Sequence, residues 1–370
     1  MSPENNVPSP EAAARSLCAL YKQYGYRHFR MSKFEEYDFY ARNKSFLVSG
    51  NIITFTEPGG RLMALKPDVT LSIVKNARYA PGVSQKVYYN EKVYRAENGG
   101  EFREINQTGL ECVGDLGFYD IAEVVTLAAK SLDLVSADRI LDLSHMGFIG
   151  GLLAHIGAPE AVNAALLTAI AEKNAPYIEL ICAENGISEE NKNRLTALAG
   201  LYLPLRDALD ALDSLSVSAE TDAAVAQLRG LLAVLEQSGL EKNVNVDFSI
   251  VNDMNYYNGV IFRGYINGIP QGVLAGGSYD SLLAKMDRRG RAIGFAVYLD
   301  LLEQLRAPAD RRDADALILY DDGTPVSQIV EKRDALIAEG RRVRVQRGSD
   351  GGVNAAGTVD LRGKGGAADA

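Results

Sequence analysis

The apolar positions of the N-terminal segments recur at spacings that predict a helix and then a hairpin. Apolar residues repeat at helical spacing over Ala12–Tyr24, which predicts an amphipathic helix. The segment NIITFTEPGGRLMAL is typical of a hairpin with its turn at residues 58–60. A second helix is expected directly after this hairpin, with Asp68 and Thr70 as candidates for its N-terminal cap.

Two longer segments farther along alternate between apolar and polar residues with a period of two, which is typical of strands. They are QKVYYNEKVYRAE and FREINQTGLECVG, joined by a loop with two adjacent glycines. On the second strand Gln107, Gly109 and Glu111 would point to one face, and the glycine would leave room between the two polar side chains. A helix is predicted next, over Asp120–Leu134.

The pattern changes in the middle of the chain. Residues 150–240 are rich in Ala and Leu and predict an all-helical insertion. Residues 244–250 alternate again, which predicts a strand with one solvent-facing side. The pairs Asn258-Gly259 and Asn267-Gly268 are predicted as hairpin turns.

These segments divide the chain into five parts. Residues 1–10 are polar and proline-rich and predict a flexible tail, and residues 11–308 form a core that contains the insertion. A charged linker then leads to one strand-helix-strand unit over 313–348, which is too small to hold a core by itself. Residues 349–370 are rich in Gly and Ala and predict a disordered tail.

Composition narrows the possible functions. An apolar fraction of 47% among 370 residues can form a sizeable core, so general disorder is excluded. The net charge of -9 argues against broad binding to nucleic acid, although a local basic patch stays possible. Cys18, Cys112 and Cys182 lack the spacing of a disulfide framework or a zinc site, so no metal is expected. Without a signal peptide or an apolar run of 18 residues, a soluble cytoplasmic protein is expected, and no membrane contact.

Four polar clusters lie on or beside the predicted strands. They are residues 66–70, Arg95 with Glu97, Gln107 with Glu111, and the Tyr256-Tyr257 pair. Carboxylates suit an ammonium or an imidazole, an arginine suits a carboxylate, and aromatic rings form walls. Each cluster alone would be read as charge on a solvated sheet face, but four clusters on adjacent strands favour a pocket for a small amphoteric ligand.

Six segments in order resemble the catalytic core of the class II histidyl-tRNA synthetases, over about Ala12–Leu305. They read YGYRHFRMSKFEEYDFYAR, MALKPDVT, VYRAENGGEFREINQTGLECVG, VNDMNYYNG, AGGSYD and GFAVYLDLL. The resemblance implies an α+β fold, a class II aminoacyl-tRNA synthetase-like antiparallel sheet flanked by helices. It also implies that the unit over 313–348 is a truncated remnant of an α/β anticodon-binding domain.

Several positions depart from that family where ATP would bind. Asn252 and Leu301 stand where the family has arginines that stabilise the reacting carboxylate and the phosphates. Ser278 also replaces an arginine, and Tyr298 replaces a glycine and would put a ring in the nucleotide site. Since the missing charges supply a large part of such catalysis, the resemblance implies a chain with no catalytic residues.

The positions that would bind histidine are better retained. The resemblance implies that pairs of residues bind the α-ammonium and the carboxylate of the ligand, and that a carboxylate and two rings enclose its imidazole. In that order they are Asp68 with Thr70, Arg95 with Gln107, and Glu111 with Tyr256 and Tyr257.

Retained histidine recognition and lost ATP chemistry resemble one group of synthetase relatives, the regulatory subunits of ATP phosphoribosyltransferase. That resemblance implies a short-form catalytic subunit as partner, a homodimer inside a hetero-octamer, and L-histidine as the effector that inhibits the first step of histidine biosynthesis. It implies no cofactor and no tRNA. A divergent active synthetase, a synthetase-like module that binds RNA or another protein, and a related amino-acid ligase remain as alternatives.

Overall fold

A computed structural model of the chain describes residues 7–43, 52–96, 101–250, 256–305 and 312–363. The chain divides into two compact units, Met1–Leu305 and Arg306–Ala370. In the described part of the chain, no helix combines the length and the apolar character needed to cross a bilayer.

The first unit mixes twelve strands and eleven α-helices among its described residues. The strands are β1 (Arg27–His28), β2 (Phe34–Glu36), β3 (Thr54–Thr56), β4 (Leu62–Leu65), β5 (Ser84–Ala96), β6 (Phe102–Gly114), β7 (Arg139–His145), β8 (Tyr202–Pro204), β9 (Val244–Asp247), β10 (Val260–Ile266), β11 (Leu274–Ser278) and β12 (Arg291–Tyr298). The helices are α1 (Pro10–Gln23), α2 (Tyr37–Arg42), α3 (Thr70–Asn76), α4 (Phe118–Val135), α5 (Met146–Ile156), α6 (Glu160–Ala171), α7 (Ala175–Glu184), α8 (Glu189–Gly200), α9 (Leu205–Leu215), α10 (Ala219–Gln237) and α11 (Asp280–Lys285).

Nine of these described strands form one sheet in the order β1-β5-β6-β12-β11-β10-β7-β9-β8. All pairs from β5 to β7 are antiparallel, whereas β1 pairs with β5, and β9 with β7, in parallel. Helices α1 and α4 pack on one face, where Tyr21, Leu110 and Val125 belong to the main apolar core. This mixed, mainly antiparallel sheet with helices on it confirms the predicted α+β class.

The other face of the sheet is covered by a thinner layer. The small sheet β2-β4-β3 lies in this layer with helices α2 and α3, and Tyr40, Val69 and Leu282 pack there with Tyr89 of β5. The predicted hairpin around residues 58–60 is confirmed as β3 and β4. The predicted candidate residues lie between this layer and the sheet.

The insertion is not entirely helical. Helices α5 to α10 alternate with short turns, but strand β8 interrupts them and pairs with β9 at the edge of the large sheet. Strand β9 also ends earlier than predicted, at Asp247, and a 3-10 turn over Phe248–Ile250 follows. The prediction that one side of this strand faces solvent was wrong, because β8 and Lys173 cover Asp247 and leave it 6% exposed.

One of the two predicted hairpin turns is absent. Strands β10 and β11 form a hairpin after Asn267, and Gly268 adopts a positive φ of 91° in its turn. Strands β9 and β10 do not pair with each other, because each pairs with a different edge of β7. Asn258 instead fixes the entry into β10: its N–H donates to Ser278 O at 3.0 Å, and its side-chain oxygen accepts from Asp280 N at 3.0 Å.

The second unit contains β13 (Ala316–Tyr320), α12 (Val326–Ala338), β14 (Val343–Arg347) and β15 (Thr358–Asp360). Strand β13 pairs in parallel with both β14 and β15. The expected disordered tail over 349–370 is therefore corrected for its described part, up to residue 363. Leu361 follows β15, is 6% exposed, and donates its N–H to Leu319 O at 2.8 Å. A strand of only three residues after a Gly-rich run gives no periodic signal.

The predicted flexible N-terminal tail is also shorter than expected. Residues 1–6 lie outside the described part of the chain. Val7 is buried in the main core, and the side chain of Ser9 accepts the Ala12 N–H at 3.2 Å. Because Ser9 caps helix α1, the ordered structure begins before residue 10.

Candidate functional site

The carboxyl group of Glu111 is the centre of the site. It lies on β6, is 2% exposed, and accepts hydrogen bonds from Thr70 Oγ1 at 2.8 Å and from the Tyr279 hydroxyl. Burial raises the pKa of Glu111 to about 8, and the nearby Asp68 adds to this effect, whereas the two hydrogen bonds oppose it. The group is therefore mainly protonated at neutral pH, and a cationic or hydrogen-bonding ligand would stabilise its ionised form.

Glycines make room for the side chains on this face of the sheet. Gly294 lies opposite Glu111 in the register of β12, and a Cβ there would overlap the Glu111 carboxylate. A Cβ at Gly277 would lie 2.8 Å from the Tyr257 ring, and one at Gly109 would lie 2.6 Å from the Tyr89 hydroxyl. The predicted purpose of Gly109 is thus partly corrected, since its space is filled by a tyrosine of the next strand.

Tyrosine rings enclose the Glu111 carboxyl. The Tyr256 and Tyr257 ring centroids lie 4.6 Å apart in an edge-to-face arrangement, and Tyr279 lies 5.9 Å from Tyr256. Burial raises the pKa of all three hydroxyl groups. Tyr279 was missed as a site residue, although it belongs to the AGGSYD segment that resembles a family motif.

Thr70 is the first residue of helix α3, and Asp68 lies two positions before it. One oxygen of Asp68 accepts the Leu71 N–H at 2.8 Å, so of the two predicted cap candidates Asp68 caps the first turn and Thr70 does not. Burial raises the pKa of Asp68, and the charge of Arg95 lowers it. The hydroxyl of Thr70 joins this helix to Glu111. Ammonium binding by Asp68 and Thr70 stays a prediction.

Arg95 lies near the end of β5, and Gln107 lies in the middle of β6. Arg95 donates from Nε to the Pro67 carbonyl at 3.4 Å, which holds it beside the start of α3. Gln107 is 4% exposed and lies opposite Tyr298 in the sheet register. The structure therefore brings all seven predicted histidine-binding positions to one face of the sheet, while their roles stay predictions.

The positions that depart from the synthetase pattern lie in different surroundings. Tyr298 ends β12 on the pocket face, where burial raises its pKa and the charge of Arg95 opposes this. Ser278 is buried against Gly259, and Leu301 packs against the main apolar core. Asn252 lies outside the described residues.

Lys66 is a buried charge next to the site. It is 1% exposed, and its ammonium pairs with the Glu91 carboxylate on β5. Its carbonyl accepts the Tyr94 N–H at 2.9 Å, so the segment before Pro67 is tied to β5. Nowhere in the described residues do three or more His, Cys, Asp or Glu side chains gather as a metal site would require.

Comparisons with known proteins agree on one family. A family model described as histidyl-tRNA synthetase matches residues 4–302. A relative from Anaeromyxobacter dehalogenans, named ATP phosphoribosyltransferase regulatory subunit, is 30% identical over 311 residues, which are 82% of this chain and 88% of the relative.

Solved structures show the same fold. A Bacillus halodurans protein, described as an ATP phosphoribosyltransferase regulatory subunit/histidyl-tRNA synthetase, superposes with a TM-score of 0.77 at 23% identity over 98% of both chains. A chain of an ATP phosphoribosyltransferase complex from Thermotoga maritima superposes with a TM-score of 0.61 at 20% identity, over 77% of this chain and 96% of that one.

Proposed function

Because this chain belongs to the histidyl-tRNA synthetase family and, within it, to the ATP phosphoribosyltransferase regulatory subunits, we propose that it senses L-histidine and regulates a short catalytic subunit. The regulated reaction is the first step of histidine biosynthesis, and bound histidine inhibits it. The chain works in the cytoplasm as a homodimer within a hetero-octamer. Its net charge of -9 favours a protein partner over tRNA.

The observation that carries this proposal is the buried Glu111 carboxyl enclosed by tyrosine rings. A ligand imidazole hydrogen-bonds Glu111 and packs against Tyr256 and Tyr257. Asp68 and Thr70 then accept the α-ammonium group at the start of α3. Histidine carries both an imidazole and an α-ammonium group.

The nucleotide half of the site supports a role without catalysis. The Tyr298 ring lies on the pocket face beside Arg95 and Asp68, where a nucleotide would compete for space. Leu301 offers an apolar side chain packed on the core, with no charge for a phosphate. Without a cation at these positions, adenylate formation loses its main electrostatic stabilisation.

Regulation follows from binding linkage. The pocket has walls from two layers, since Thr70 comes from the covering layer and Glu111 from the large sheet. Histidine favours the arrangement in which these layers are closed, and the catalytic partner responds to that arrangement through their interface. A coupling free energy of about 1 to 3 kcal/mol suffices for useful inhibition.

Calorimetric titration with L-histidine tests the pocket. The wild-type chain binds histidine, and Glu111→Ala abolishes binding. Glu123→Ala is the matched control, because Glu123 is a buried carboxylate on the helix side of the sheet that binds Lys86 and Tyr26. Tight histidine binding by the Glu111→Ala variant would contradict the assignment of the histidine pocket.

Two activity assays separate the regulator from a divergent synthetase. ATP-pyrophosphate exchange with histidine present should stay at background, also after arginine is restored at Asn252 and Leu301. Mixing with a short ATP phosphoribosyltransferase should raise its activity, and histidine should lower it again. Exchange above background would restore the synthetase hypothesis.

A further inference from the structure

The pocket face of the sheet continues from Glu111 toward strand β10. The register aligns Gly109, Ala296, Ala275 and Arg263 as cross-strand neighbours on β6, β12, β11 and β10. Cross-strand partners share a face, so Arg263 points to the same side as Glu111. Three strand spacings of about 4.8 Å, roughly 14 Å in all, separate the backbones of β6 and β10.

Two alanines leave the floor of this row open. Side chains cover the neighbouring glycines: Tyr89 covers Gly109, and Tyr257 covers Gly277. Ala275 and Ala296 are only half-buried, although they lie on central strands. A small molecule resting on these two methyl groups would reach Glu111 at one end and Arg263 at the other.

Arg263 is a half-buried cation with no hydrogen-bond or ion-pair partner among the residues that the structure describes. The chain at Gly272 approaches its aliphatic stem so closely that an added Cβ would lie 2.7 Å from Cγ, which restricts where the stem can lie. Its charge acts on Tyr257 and Tyr298, which border the open floor. Asp142 is its cross-strand neighbour on β7, but one oxygen of that carboxyl is buried without a partner, so the two groups do not form a two-pronged pair.

We propose that Arg263 binds the carboxylate of the amino acid in the pocket and is a specificity-determining residue for it. This inference rests on the proposed histidine site and deepens it. Arg95 is less suited to supply the main counter-charge, because it donates to the Pro67 carbonyl and lies beside Asp68. The planar guanidinium of Arg263 has its donors free for a two-pronged bond to a carboxylate.

Titration with two ligands tests this inference. Histamine has the imidazole and amine of histidine but no carboxylate. Arg263→Met should lower the affinity for L-histidine roughly ten- to a hundredfold and change the affinity for histamine less than about threefold. Arg263→Lys should retain part of the preference for L-histidine over histamine. The control Arg291→Met removes an arginine of β12 that pairs with Asp280, and it should retain the whole preference.

The outcomes separate the two proposals. If the wild type binds histidine and Arg263→Met keeps the same histidine-to-histamine ratio, the role of Arg263 is overturned and the histidine site stands. If the wild type binds neither ligand, the proposed site and this inference both fail. Circular dichroism checks the fold, and Arg263→Gln is measured in the same way if the Met variant unfolds.

Discussion

At the scale of single residues, Glu111 combines burial with two hydroxyl partners. A carboxyl pKa near 8 means that the folded chain keeps a proton that the unfolded chain has released above its ordinary pKa of 4.5. Stability from this group is therefore greatest at low pH and falls as pH rises from about 4.5 to 8. The surrounding side chains hold the Glu111 carboxyl in place in its uncharged form, and a bound cationic ligand would favour its ionised form.

We predict that Glu111→Gln removes this pH dependence. Glutamine keeps the shape of the side chain and cannot ionise, so the variant should gain stability over the wild type as pH rises, by up to about 1.4 kcal/mol for each pH unit of the window. Urea unfolding of both chains at several pH values from 5 to 9 measures the difference. If the free energies of unfolding of the two chains change in parallel with pH, Glu111 ionises at its ordinary pKa.

A second residue-scale prediction concerns the glycine opposite Glu111. Gly294→Ala places a methyl group where the Glu111 carboxylate lies, so we expect a stability loss of about 1 to 3 kcal/mol and loss of histidine binding. Gly200→Ala is the control, because a Cβ added there has no atom within 4 Å apart from its chain neighbours and its own helix backbone. Unfolding and calorimetry are compared for the two variants. Equal stability and equal histidine affinity of the two variants would mean that the pocket can shift to accept a methyl group at residue 294.

At the scale of elements, strand β15 shows how a short segment completes a small core. Leu361 follows it and packs with Ala316, Ile318 and Leu336. We predict that Leu361→Ala destabilises the second unit by about 2 to 4 kcal/mol, because it leaves a cavity in a core with few members. Hydrogen exchange of the β13 amides reports this loss.

The control for that prediction comes from the same unit. Val326 begins α12 and is 73% exposed, so Val326→Ala should change stability by less than about 0.5 kcal/mol. If both substitutions have equally small effects, β15 contributes little to the core.

Periodicity predicted the long elements and failed for the short ones. Strands β5 and β6 each have 13 residues and alternate clearly, so the sequence identified their pairing and the shared face of Gln107 and Glu111. Strands β8 and β15 have three residues each, too few for a period. The Asn-Gly rule failed at Asn258, because β7 pairs with both β9 and β10 and nothing local to the turn records that.

Polar clusters on the predicted strands, together with the family motifs, identified most of the candidate site. Glu111 and the Tyr256-Tyr257 pair were found because they belong to such clusters and their segments resemble family motifs. Arg263 was missed because it lies on a strand outside the matched segments, and only the register places it beside the open floor. Gly294 was missed although it begins the matched segment GFAVYLDLL, because its neighbour Glu111 is 183 positions away in the sequence and only the strand register brings the two together.

At the scale of the whole molecule, the chain forms two compact units, and we expect only one of them to respond to histidine. All proposed histidine contacts lie within Met1–Leu305. We predict that histidine at 100 times its dissociation constant stabilises this unit by about 2.7 kcal/mol and leaves the unit after Arg306 unchanged. Hydrogen exchange with and without histidine tests this, with protection expected in β6 and β12.

Strand β13, which belongs to the second unit, is the internal reference for β6 in that experiment. Equal protection of β13 and β6 would show that the two units unfold as one. No added protection in either unit would speak against a histidine site.

The long separation of the pocket partners also has a consequence during protein synthesis. Tyr279 donates to Glu111 across 168 positions of sequence, and β12 is made later still. A ribosome that adds about 5 to 20 residues per second makes β12 roughly 10 to 30 seconds after β6, and until then the nascent β6 lacks this neighbouring strand. During that interval its free edge can pair with other emerging chains. The risk of co-translational aggregation through β6 therefore lasts until β12 has left the exit tunnel.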